Sequence, residues 1–210
     1  MTTTRIAGTQ GYDQDVAAFF KRSESVAFAD KHAAALSVYP APPASILDIG
    51  TGSGRDAADF ARLGHAVLAV EPTPELLAGA IARHDHPAIT WLDDSLPDLS
   101  AVLARGERFD LVLLSAVWMH LDEDERRRAM PNLAALLADG GVLTLSLRHG
   151  PVPAGRRMFA VTAAETIALA KTEGLRLRIE ATQDSIQVAN RMAGVTWTIL
   201  AFERPRDATA

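Results

Sequence analysis

The chain has 210 residues, of which 48% are hydrophobic, which is enough for one well-buried α/β core and short for two full domains. Its 21 Lys and Arg against 26 Asp and Glu leave a net charge of -5, so it lacks the overall positive field with which nucleic-acid binders neutralise phosphates. The absence of cysteine excludes disulfides and thiolate zinc sites. The opening MTTTRIAGTQGYDQD has no apolar signal core, and apolar runs such as Leu111 to Val117 fall far short of the ~20 residues that span a bilayer. A cytoplasmic location is expected, with neither nucleic acid nor membrane as partner.

The first forty residues read as helix. Val16, Phe19 and Phe20 fall at helical spacing, and Phe28, His32 and Leu36 repeat the pattern on a second helix. This segment, 1–39, is expected to be a cap, either a simple packing pair or a lid over a site. The Pro-rich stretch Pro40 to Pro43 links it to an alternating domain, 40–210. There Ile46 to Ile49 is a short apolar strand ending in glycines, followed by a brief helix, Asp56 to Leu63, closed by Gly64.

Ala66 to Val70 is the next strand, and Glu71 ends it in extended geometry because Pro72 disfavours helix for its neighbour. Thr73 is expected to cap a helix with Pro74 at its first position. Ala88 to Leu92 and Phe109 to Leu114 are further strands; the latter is apolar at consecutive positions, as a central strand covered on both faces must be. Asp122 to Glu125 begin a helix running toward Leu137, which Pro131 should kink or interrupt and Gly140 and Gly141 should end. Val142 to Leu147 is a strand, and Thr162 with Glu165 forms a capping box for a helix that Gly174 stops. Leu175 to Ala181 alternates apolar and charged residues with period two, and Val195 to Phe202 is a final apolar strand. Five strand–helix alternations followed by two successive strands imply a seven-stranded, mostly parallel sheet with an antiparallel last strand and helices on both faces.

The segment ILDIGTGSGRDA, Ile46 to Ala57, joins a buried strand to a helix through Gly50, Gly52 and Gly54. Glycine at such a turn admits positive φ and close approach of a ligand to backbone. The dinucleotide fingerprint G-x-G-x-x-G fails here, because it needs glycine at Arg55 or at Ala57, which disfavours a nicotinamide-dependent oxidoreductase. Asp48 before the loop would repel a pyrophosphate and suit a ligand bearing an ammonium and a sulfonium.

From about residue 40 to 204 these features resemble the class I S-adenosylmethionine-dependent methyltransferases, which have a Rossmann-like fold. The resemblance implies that Asp48 and the Gly50, Thr51, Gly52 loop, with Arg55 behind it, hold the methionine part of the cofactor. It implies that Glu71, with Pro72 beside it, takes the two ribose hydroxyls, and that Asp94 and Ser95 in WLDDSLP meet the adenine amino group. Ser115 and Tyr12 are further expected cofactor contacts, Tyr12 reaching in from the cap or else pinning it.

Ligands of open α/β sheets bind beyond the carboxyl ends of the strands, so Ser115 to His120 and Arg148 to Pro151 should face the transferred methyl group. His120 and His149 are the candidate general bases, since histidine titrates nearest neutrality; either could instead be a histidine hydrogen-bonded at a strand end. Trp118 and Arg148 are candidate substrate contacts, and Arg148, Arg156 and Arg157 could attract an anion. The acidic run Asp122 to Asp124 reads as helix-start chemistry, and no metal is expected. No Asn-Pro-Pro or Asp-Pro-Pro precedes an aromatic, which argues against nucleobase amines. A small-molecule acceptor is expected; the alternative is a non-catalytic protein that only binds S-adenosylmethionine.

Overall fold

A computed structural model describes residues 6–206. Both ends of the two expected segments, residues 1–5 and 207–210, lie outside the described residues. The cap contains α1 (Val16–Glu24) and α2 (Phe28–His32), and a 3-10 turn, Leu36–Val38, replaces a longer second helix. Then follow β1 (Ser45–Ile49), α3 (Arg55–Arg62), β2 (Ala66–Val70), α4 (Pro74–Arg83), β3 (Ile89–Leu92) and α5 (Ser100–Ala104). The second half comprises β4 (Phe109–Leu114), α6 (Glu123–Ala135), β5 (Leu137–His149), α7 (Ala163–Thr172), β6 (Arg176–Asp184), α8 (Val188–Met192) and β7 (Thr196–Glu203).

The strands form one sheet in the order β3-β2-β1-β4-β5-β7-β6, with β4 at its centre. All neighbours are parallel except β7, which runs antiparallel to both β5 and β6. Alternation along the strands sends side chains to two cores. Leu47, Ile49, Val112, Leu114, Leu143 and Leu145 pack with Val102 of α5, Met130 and Leu133 of α6 and Ala170 of α7. On the other face Ile46, Val67 and Leu111 pack with Ala57, Phe60 and Ala61 of α3, and Phe28 and Tyr39 of the cap join them. Over β5 and β7 this second face walls a cavity, through Thr144, Ser146 and Arg148 of β5 and Trp197 and Ile199 of β7.

Three local expectations need correction. Pro131 lies inside α6 without ending it. The missing hydrogen bond and ring clash cost roughly 3 kcal/mol, while burying Met130 and Leu133 returns about 1.5–3 kcal/mol each, and a full capping box between Asp122 and Glu125 holds the first turn. Gly140 and Gly141 do not end α6, which stops at Ala135; they lie within β5, where Gly140 N–H donates to Arg204 O and Arg204 N–H to Gly141 O. The box expected at α7 is half formed: the Thr162 hydroxyl accepts from Glu165 N–H, while the Glu165 carboxylate pairs instead with Arg126 at 2.7 Å.

Trp118, expected to meet substrate, is fully buried in the core under β4 and β5, and its indole N–H donates to Thr166 Oγ1 at 3.2 Å. It sits in the 3-10 turn Trp118–His120, which orients it inward toward α7. Trp118→Ala should therefore destabilise the fold by about 3–5 kcal/mol in denaturant unfolding. A loss below about 1 kcal/mol would mean that the indole is not the packing element described.

Candidate active site

Beyond the carboxyl ends of β1, β2 and β4 lie a main cavity of about 510 Å3 and a side cavity of about 150 Å3. Tyr12, Phe19, Gly50, Gly52, Ser115 and Ala116 line both, so the two form one site with a waist at the glycine loop. Gly50 and Gly52 carry φ of +68° and +59°. A Cβ on Gly50 would come within 2.6 Å of Val117, and one on Gly52 within 2.9 Å of Phe19. The loop therefore needs glycine twice over, for its left-handed backbone and for the close fit of the strand end and cap upon it.

The cap is fastened to this loop by polar contacts. Ser23 Oγ and Ser53 Oγ lie 2.8 Å apart, and Arg55 Nη1 donates to the carbonyls of Ser23 and Val26. Lys31 Nζ meets Asp56 Oδ2 at 2.6 Å. Asp56 also receives the Arg55 guanidinium at 2.6 Å and has His32 Nε2 at 3.3 Å. Burial opposes ionisation of Asp56, yet Lys31, His32 and Arg55 overcome it and hold its carboxyl well below the usual range. Arg55 lines the main cavity, but most of its N–H groups are committed to Asp56 and to the cap.

Asp48, at the same wall, is 2% exposed and accepts from the Thr51 hydroxyl at 2.6 Å. No cation forms an ion pair with it among the described residues. Burial first, and the charge of Asp56 second, push its carboxyl up to about 7. Glu71 ends β2 as expected and is equally buried. Its Oε2 accepts from Gly52 N–H at 2.9 Å and its Oε1 from Thr73 N–H at 2.8 Å, so each oxygen retains lone-pair capacity toward the side cavity. Burial raises the Glu71 pKa against these bonds, and Asp93 adds to the rise. In the same cavity Asp94 accepts from Ser95 N–H and from Val102 N–H, bracing the loop that leads into α5.

His120 and Tyr12 form a pair at the waist. Tyr12 Oη lies 3.0 Å from His120 Nε2, and His120 Nδ1 lies 2.7 Å from the Arg157 carbonyl. A carbonyl only accepts, so Nδ1 carries the proton and Nε2 accepts the Tyr12 hydroxyl. Burial and the nearby Arg156, Arg157 and Arg148 lower the His120 pKa, although its bond to Arg157 works the other way. Arg157 itself is locked, donating to His120 O and pairing with Glu125 and Asp122.

All the expected cofactor positions, Tyr12, Asp48, Gly50, Thr51, Gly52, Arg55, Glu71, Pro72, Asp94, Ser95 and Ser115, line one cavity or the other. Arg148 lines the main cavity and His120 the side cavity. His149 lines neither. Thr144, Ser146 and Arg148 of β5 line the main cavity, so period two turns His149 to the opposite face, where its Nε2 meets Thr198 Oγ1 at 2.8 Å. The expectation that both histidines face one site is thus corrected for His149; of the two, His120 alone lines a cavity. Trp197, Met158, Gln183 and Asn190 also line the main cavity and had no motif to announce them.

With this geometry in view, comparison with known proteins shows what the chain is similar to. A methyltransferase-domain family matches residues 46–141, from the start of β1 into β5. Over residues 46–141 the chain is similar to a methyltransferase domain, and its fold is that of class I S-adenosylmethionine-dependent methyltransferases. A methyltransferase of Mycobacterium tuberculosis is 32% identical over 111 residues, covering 50% of this chain and 54% of that protein. A ubiquinone biosynthesis O-methyltransferase of Methylobacterium nodulans is 37% identical over 82 residues, covering 39% of this chain and 32% of that protein. These matches span about half the length of such relatives or less.

Among solved structures, the N-methyltransferase NodS of Bradyrhizobium japonicum, in complex with S-adenosylhomocysteine, superposes with a TM-score of 0.65 at 21% identity, over 89% of this chain and 88% of that one. The 1,6-didemethyltoxoflavin-N1-methyltransferase of Burkholderia thailandensis gives 0.64 at 22% identity, over 98% and 93%. At such identity they attest to the class I methyltransferase fold. Among the described residues no helix is long and apolar enough to cross a membrane.

The lowered pKa of His120 has a spectroscopic consequence. At pH 7 its ring should show, in 15N NMR, the neutral tautomer with the proton on Nδ1, and it should become cationic only below the ordinary 6.5. Titration above 7, or an Nε2-protonated ring, would contradict the hydrogen-bond assignment.

Proposed function

We propose that this chain transfers a methyl group from S-adenosylmethionine to a small-molecule acceptor by in-line displacement. The observation that carries the proposal is Asp48: a buried carboxylate with no ion pair among the described residues, beside a glycine loop and one strand from Glu71. A ligand bearing an ammonium, a diol and an adenine meets complementary groups in turn. Asp48 would receive the ammonium, Glu71 the ribose hydroxyls, and the loop of Asp94 and Ser95 the adenine. When bound, the cofactor supplies an electrophilic methyl group on a sulfonium.

The chain's own residues then have distinct tasks. The cap, residues 1–39 in this reading, excludes water, with Phe19 laid on Gly52 and Tyr12 closing the waist. The main cavity beyond Ser115 and Ala116 gives an acceptor a path to the waist, which favours catalysis over mere binding of the cofactor. Positioning of nucleophile and methyl supplies most of the rate, as effective molarity can be worth roughly 7–11 kcal/mol. An acceptor that must lose a proton passes it to Tyr12 Oη while the Tyr12 proton moves to His120 Nε2. Because His120 Nε2 is already occupied by the Tyr12 hydroxyl, His120 acts through Tyr12 rather than by touching the acceptor.

Two experiments test this function. Glu71→Ala should fold and bind S-adenosylhomocysteine about tenfold or more weakly by calorimetry, since charged hydrogen bonds are worth about 1.5–3 kcal/mol each. Affinity within twofold of the parent would remove Glu71 from the cofactor site. His120→Ala should lower the maximal rate about 10²- to 10⁴-fold with little change in cofactor affinity if the acceptor ionises in the reaction. The parental rate should rise with pH on a limb lying below 6.5, and the variant should lose that limb. A variant with the parental rate and profile would leave catalysis to positioning alone.

A further inference from the structure

The main cavity is divided by charge. Its carboxylates, Asp48 and Asp56, stand where β1 meets α3, and Asp56 is consumed by Lys31, Arg55 and His32. Two strands over, about 10 Å in the hydrogen-bonding direction, the far wall carries Arg148, with Arg156 on the loop that follows β5. No carboxylate pairs with either arginine among the described residues. Arg148 Nη1 donates to Pro151 O at 2.7 Å, and burial lowers the guanidinium's pKa from its ordinary value. The Arg156 guanidinium stacks over the Tyr12 ring at 3.6 Å, and its Nη1 is buried without a hydrogen-bond partner.

The neighbour Arg157, by contrast, has two carboxylates and a carbonyl of its own. A buried guanidinium N–H without an acceptor is costly, and an arriving anion would relieve it with charge-assisted bonds. Beside the arginines this wall carries both apolar surface and neutral polar groups, with Gln183 opposite Trp197 across the β6–β7 ladder. Trp197 lies directly opposite Arg148 across the β5–β7 ladder, and Ile199 and Met158 also line the cavity.

Resting on the methyltransferase reading above, we propose that the methyl acceptor is a small anion, a flat apolar body bearing a carboxylate or phosphate, with the anionic group held by Arg148 and Arg156 and the body laid against Trp197 and Met158. This places the acceptor's charge far from Asp48, so cofactor ammonium and acceptor anion occupy opposite ends of one cavity. It also gives Arg156 two contacts, one with the acceptor and one with Tyr12, which couples seating of the acceptor to the Tyr12–His120 pair.

The test uses the full chain saturated with S-adenosylhomocysteine and three probes of one shape, benzoate, phenyl phosphate and benzamide, followed by ligand-observed NMR. At least one anion should bind tenfold or more tightly than neutral benzamide, and the order of benzoate and phenyl phosphate tells which anion the arginines suit. Arg148→Gln and Arg156→Gln should each reduce that preference at least fivefold while S-adenosylhomocysteine affinity stays within twofold, with a parental circular dichroism spectrum and thermal transition certifying that each variant is folded. Equal binding of benzamide, or a preference undiminished in the variants, would overturn the proposal. So would loss of S-adenosylhomocysteine affinity in the folded variants, because the arginines would then serve the cofactor's carboxylate. Failure of the parent to bind S-adenosylhomocysteine at all would instead overturn the methyltransferase reading.

Discussion

Two buried carboxylates share one wall of the main cavity, and three basic side chains stand beside only one of them. Asp56 takes Lys31, Arg55 and His32, and its charge is secured. Asp48 has a hydroxyl and, among the described residues, no ion pair of its own; Lys31 and Arg55 act on it only from their places at Asp56, whose charge makes its ionisation harder. The arrangement is asymmetric in a useful way. Leaving a buried carboxylate uncompensated is expensive, so the site is tuned to gain most from a ligand that brings a positive charge to Asp48. The same cluster bolts the cap to α3, since Lys31 and His32 come from the cap and Arg55 and Asp56 from the first turn of α3. Closing the cavity and biasing its charge are thus one interaction.

The rest of the site follows from where the strands stop. β1 and β2 deliver Asp48 and Glu71 to adjacent strand ends, and backbone N–H groups of the glycine loop and of Thr73 hold Glu71 in place. The longer β5 and the antiparallel β7 extend the cavity sideways, where Ala189 and Asn190 of α8 also line it, and there Arg148 and Trp197 stand opposite each other. The Tyr12–His120 pair lies between these halves, with Arg156 stacked on Tyr12 and Arg157 fixing the histidine ring by its carbonyl.

Much of this was legible in the sequence, and the reasons differ by residue. Phe109 to Leu114 could be placed at the sheet's centre because a strand covered on both faces has no polar alternation. Gly50, Gly52, Asp48 and Glu71 could be found because turn geometry and strand ends are local properties. His149 and Trp118 were misjudged because a strand end or a tight turn can send a side chain either way. Gly140 and Gly141 resembled a helix stop but lie within β5. Trp197, Met158 and the unpaired state of Arg156 carry no sequence signal at all, since they meet only through the β5–β7 ladder and the loop after β5. The partner of Glu165 was likewise invisible: a capping glutamate and an ion-pairing one look the same until Arg126 is seen beside it.

The most direct test of the central claim is the proton balance of cofactor binding. Calorimetry of S-adenosylhomocysteine binding at pH 6, repeated in two buffers of different ionisation enthalpy, reads the protons exchanged. With Asp48 held up at about 7 in the free protein, it is mostly protonated at pH 6 and must ionise to meet the ligand's ammonium. Close to one proton should therefore be released at pH 6 and almost none at pH 8, with affinity about tenfold weaker at the lower pH. Asp48→Asn should abolish both effects. Proton-neutral binding with equal affinity at pH 6 and 8 would contradict the claim that an unpaired, buried Asp48 defines this site.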